Sequence, residues 1–129
     1  MSKLETSEVR SSIADPVVDE VALRAMVDGD QALLKELVLL FADEFPISLA
    51  KIRAAVDTGN AKALENAAHA LKGCVSNFSA QAAVGSALKL EMLGREGNID
   101  GAAETYVLLE EQLTILLQRL QAIAVIGLT

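Results

Sequence analysis

His69, Lys72, Gly73 and Cys74 stand together in the stretch Ala68-His69-Ala70-Leu71-Lys72-Gly73-Cys74, and the histidine and the cysteine are each single in the chain. On a helix each residue advances about 100°, so with the core direction set by Leu64, His69 falls about 140° from the core and points into solvent. Neighbours three, four and seven positions away share that face: Lys62, Glu65, Asn66, Lys72, Gly73 and Ser76. They form the surface that a partner approaching His69 would meet. Cys74 turns toward the other side, which argues against a cysteine-histidine nucleophilic pair.

An exposed imidazole, with an ordinary pKa of about 6.5, offers a neutral nucleophilic nitrogen at cellular pH and suits phosphoryl acceptance without an activating base. Gly73 adds to this reading. Glycine inside a helix costs about 1 kcal/mol relative to alanine, and a missing side chain one turn from the ring leaves room for another protein's active site. The Lys72 ammonium could offset the charge of a phosphoryl group on the ring. Residues 60 to 77 hold two lysines and one glutamate, against a net charge of -7 for the whole chain.

Other chemistries lack their parts. There is no Gly-rich loop followed by Lys-Ser/Thr, no kinase-type loop and no acidic magnesium cluster, so ATP chemistry would have to come from a partner. The expectation is a phosphate carrier and not an enzyme. His69 has no second ligand at i+4 and no Ser-His-Asp setting, so neither a metal site nor a hydrolase is expected. The acidic balance repels nucleic acid and anionic lipid. With no apolar run of about 18 residues, no signal-peptide pattern and a single cysteine, the chain is expected in the cytoplasm, without a membrane partner.

The elements that would position His69 follow from periodicity. At 129 residues the chain fits one domain. Residues 1–18 are polar and end in Asp15-Pro16, and are read as a mobile tail before a bundle spanning 19–129. Asp19 caps a short helix, Val21 to Val27, which ends near Asp28-Gly29 and lids the bundle. Leu33, Leu34, Leu37, Val38, Phe41, Phe45, Leu49, Ile52 and Val56 mark a long helix, with a kink expected near Glu44 from Pro46 and a stop at Thr58-Gly59-Asn60. A third helix, 61–78, buries Leu64, Ala68, Leu71, Val75 and Phe78. A fourth, capped by Ser79, turns Val84, Ala87, Leu88 and Met92 inward and ends at Gly97-Asn98. Ile99, Ala102, Tyr106, Leu109, Leu113, Leu116, Leu120 and Ile123 give the last helix its seam. The fold class is therefore all-α: an antiparallel four-helix bundle with a short additional N-terminal helix, expected to act as a monomer.

The motif around His69 resembles the phosphorylation signature of histidine-containing phosphotransfer (HPt) domains of bacterial phosphorelays, His-x-Leu-Lys-Gly followed by a small residue. The resemblance extends to Leu40 through Pro46, Ile52 through Asn60 and Leu90 through Asn98, and covers roughly residues 19 to 125. It implies that His69 is the phosphoacceptor, that Lys72 assists the phosphoryl group and that Gly73 keeps the approach clear. It implies response-regulator receiver domains and a hybrid sensor histidine kinase as partners, with magnesium supplied by the receiver and no cofactor on this chain. Ser79 departs from the pattern, where the family usually carries glycine. A complete domain pattern after Met1 suggests a free-standing protein. The competing reading is a helical adaptor that binds a signalling partner without being phosphorylated; under it His69→Gln would leave function intact.

Overall fold

The computed structural model describes residues 18–78 and 80–127, and among them it is helical throughout, with short connecting turns. Five helices follow in order: α1 (Glu20–Met26), α2 (Gln31–Thr58), α3 (Ala61–Ser76), α4 (Gln81–Glu96) and α5 (Ala102–Ile126). Side-chain caps start the first three. Asp19 accepts from the Ala22 amide, Asp30 from Leu33 and Asn60 from Ala63, each bond 3.0 to 3.1 Å long. The α2 and α4 helices end on Gly59 and Gly97, whose φ of 69° and 75° place them in the left-handed region that closes a helix without a Cβ clash.

The four long helices form an antiparallel ring in chain order, α2 beside α3, α3 beside α4, α4 beside α5, and α5 back against α2. Polar contacts between the ends show the direction. Gln31, at the start of α2, donates to the carbonyls of Ile123 and Ala124 at the end of α5, at 3.2 and 2.8 Å. The aliphatic seams meet inside: Leu64, Leu71, Leu90, Leu109, Leu113 and Leu120 have no exposed surface. Phe41 stacks on Phe45 and tilts against Phe78, both at 5.1 Å between ring centroids, and so ties α2 to the end of the histidine helix. Leu23 and Val27 from the α1 region are buried in the same core, as is Val18, a residue the sequence assigns to the tail. The rest of that tail, residues 1–17, lies outside the described residues.

The α2 helix keeps Pro46 inside one continuous element. Several expectations need correction. Leu33 is more exposed than its place in the stripe implies. The α3 helix stops at Ser76, and Phe78 packs from the following turn. The N-cap position of α4 is held by Ala80 without a side-chain bond; Ser79 lies outside the described residues. The inward face of α4 is also rotated. Ala83, Ser86, Ala87, Leu90, Glu91 and Gly94 are buried, while Leu88 and Met92 stand in solvent. The physical reason is Glu91, a carboxylate that ion pairs allow to occupy an interior position, so the apolar residues beside it need not turn in.

Candidate functional site

The α3 and α4 helices approach closely because Gly94 lacks a side chain. A Cβ there would lie 2.5 Å from the Glu65 amide nitrogen and 2.6 Å from the Ala61 carbonyl oxygen, both backbone atoms of α3. No shift of a flexible side chain could relieve that. The close approach brings the faces of the two helices within reach of each other one turn further along, where His69 meets Glu91.

His69 lies on the outer face of α3, its side chain 67% exposed, and its Nδ1 stands 3.0 Å from Oε2 of Glu91. Glu91 is only 2% exposed. Its Oε1 faces the Lys72 ammonium at 2.7 Å, and its Oε2 also accepts from Nη2 of Arg95 at 2.8 Å. Lys72, more than His69, holds the Glu91 carboxyl below the usual carboxylate range, against burial, which pushes the other way. Glu91 is thus ionised near neutral pH and can only accept. Nδ1 then carries a proton and donates it to Oε2, and in the neutral ring this leaves the Nε2 lone pair free.

The surrounding face divides in two. Lys62, Asn66, Gly73 and Ser76 are exposed as expected, and Ser76 turns its hydroxyl back to the Lys72 carbonyl at 2.7 Å. Glu65 and Lys72 are instead half-buried, at 19% and 27% side-chain exposure, because both are drawn into ion pairs. Glu65 accepts from Nε of Arg95 at 3.0 Å and lies 3.4 Å from the Lys62 ammonium; Arg95 holds its carboxyl below the usual range. A Cβ on Gly73 would meet nothing within 4 Å, so the space beside the ring is open. Cys74 is half-buried and its thiol is pushed up, chiefly by burial, so it is no nucleophile near neutral pH. Among the described residues no group of three His, Cys, Asp or Glu could hold a metal ion.

Sequence reasoning missed Glu91, Arg95 and Gly94. A glutamate and an arginine four apart were legible as a helical ion pair, and Gly94 inside a helix carried the same oddity as Gly73. Nothing in the periodicity, however, shows an acidic side chain turning inward.

The model of the Hpt domain family matches residues 36–123, most of the bundle and all of the site. The chain belongs to the Hpt family. That membership makes it a phosphotransfer carrier of the phosphorelay type. The crystal structure of histidine-containing phosphotransfer protein B (HptB) from Pseudomonas aeruginosa PAO1 is similar, with a TM-score of 0.71 and 27% identity over 86% of this chain and 96% of that one. No curated protein sequence matches the chain. Among the described residues of this Hpt domain, no helix is long and apolar enough to cross a membrane.

Proposed function

We propose that His69 accepts a phosphoryl group on Nε2 from the aspartyl phosphate of a receiver domain, or from a hybrid sensor kinase, and passes it to a second receiver. The observation that carries this reading is the exposed ring anchored through Nδ1 on a buried, ionised Glu91. In the transfer the Nε2 lone pair forms the N–P bond while the P–O bond to the donor aspartate breaks, and that bonding pair leaves with the carboxylate. The proton stays on Nδ1. The ring gains positive charge as the N–P bond forms, and Glu91, 3.0 Å away, lowers the energy of that charge. A phosphoryl group on a charged ring also leaves readily, so the step can run in both directions.

Lys72 and Gly73 take supporting roles. The Lys72 ammonium, now on Oε1 of Glu91, is a flexible cation within reach of the site and can share itself with the incoming phosphoryl oxygens. The open side of Gly73 admits the partner, and Lys62, Glu65, Asn66 and Ser76 border the approach. Three cations, Lys62, Lys72 and Arg95, meet two carboxylates, Glu65 and Glu91, so the site is locally positive in an acidic chain. That balance suits an incoming phosphoryl group with two negative charges.

The test is transfer from a receiver domain phosphorylated with a small donor to the wild-type chain and to His69→Gln, followed by intact mass. Acid-labile, base-stable label on the wild type alone is the expected result. Equal behaviour of the two proteins in transfer and in signalling output would favour the unphosphorylated adaptor.

A further inference from the structure

Arg95 makes two bonds that bear on His69 without touching it. Through Nη2 it reaches the same Glu91 oxygen that takes the His69 proton, at 2.8 Å, and through Nε it reaches Glu65 Oε2 at 3.0 Å. Glu65 lies one turn before His69 on α3, so the guanidinium on α4 closes a loop that runs His69, Glu91, Arg95, Glu65 and back along the helix. We propose that Arg95 is a positioning residue for phosphoryl transfer, pinning the Glu91 carboxylate against Nδ1 and so fixing the tautomer that leaves Nε2 free; this rests on the function proposed above.

The geometry favours this over a surface ion pair. Arg95 is itself 54% exposed, and a long exposed side chain with one contact samples many rotamers at small gain. Two carboxylates, each taken by a different N–H on one edge of the planar guanidinium, select one orientation. A lysine ammonium is a point charge and could hold Glu91 without fixing its plane. Glu91 needs such support, since its Oε1 faces the Lys72 ammonium from α3 without a hydrogen bond to fix it, and its Oε2 is shared between His69 and Arg95. The charged groups facing the ring are then Glu65 and Lys72 on its own helix and Glu91 and Arg95 on α4, with Lys62 behind Glu65. Removing Arg95 takes away the only one of these that contacts both carboxylates.

The test compares wild type, Arg95→Met and Arg95→Lys in two ways: the ring tautomer from 15N NMR of the unphosphorylated protein, and the rate of labelling by phosphoramidate, a small donor that needs no partner. Arg95→Met is expected to give a mixed tautomer and labelling slowed about tenfold, the size that outer partners of a working histidine carry. Arg95→Lys, which keeps a cation on Glu91, should recover part of both. A wild-type tautomer and rate in Arg95→Met would overturn the proposal, as would equal loss in both variants with a matching fall in melting temperature, the mark of a simple staple between helices. Should the wild type take no label, the function proposed above fails, while the tautomers still decide the role of Arg95.

Discussion

Glu91 is the residue on which the chemistry of His69 turns, since it is buried, charged and set among three cationic or proton-bearing side chains from two helices, with His69 and Arg95 on Oε2 and the Lys72 ammonium facing Oε1. Glu91→Gln keeps the shape but loses the charge that steadies the ring, so labelling of His69 should slow by about ten- to a hundredfold, read as the initial rate with a phosphorylated receiver. The same carboxylate makes a pH prediction. Its pKa in the folded protein is depressed, chiefly by Lys72, so its stabilising contribution is complete above the ordinary glutamate value of about 4.3 and is lost as pH falls through the lower folded value. Thermal melts between neutral pH and pH of about 3 should show Glu91→Gln losing less stability on acidification than the wild type does. Gly73 is the complementary case. Because a Cβ there meets only open space, Gly73→Gln should raise helix stability by up to about 1 kcal/mol while slowing transfer from a receiver; an unchanged rate would remove the steric role. His69, Lys72 and Gly73 were legible in the sequence because a helix surface follows from spacing. Glu91 and Arg95 were not, because their place depends on which residues of a second helix they face.

At the scale of elements, the register of α4 on α3 decides whether the site exists. Gly94 and Gly85 occupy the same helix, yet only Gly94 touches backbone across the interface. Gly94→Ala should therefore destabilise the protein by about 1 to 3 kcal/mol, as overpacking does, and weaken the His69–Glu91 bond in the ring's 15N shifts. Gly85→Ala should do neither and gain a few tenths of a kcal/mol or more from helix propensity. Equal effects would show that close approach is not what places Glu91. The α3 and α5 seams were largely readable, since an apolar stripe at helical spacing leaves one solution for the buried face; Ile99, read as the first residue of the α5 seam, instead lies half-buried in the turn before that helix. On α4 the stripe drawn through Leu88 and Met92 was wrong, because alanines, a serine, a glycine and a paired glutamate line its true inner face and carry little hydropathy signal.

For the molecule as a whole, the ring of four helices supplies rigidity and leaves its one histidine on the outside. The core is almost wholly aliphatic, so its stability rests on volume: Leu71→Ala or Phe78→Ala should each cost about 2 to 5 kcal/mol in denaturant melts, while leaving the site's charges in place. The bundle was legible from four amphipathic segments and short turns, whereas the α3–α4 charge network emerges only once helices are paired. The most direct measurement is NMR of the phosphorylated, 15N-histidine-labelled protein. The expected result is a phosphorus coupling to Nε2 of His69 with a proton retained on Nδ1. Phosphorus on Nδ1, or on any residue other than His69, would contradict it.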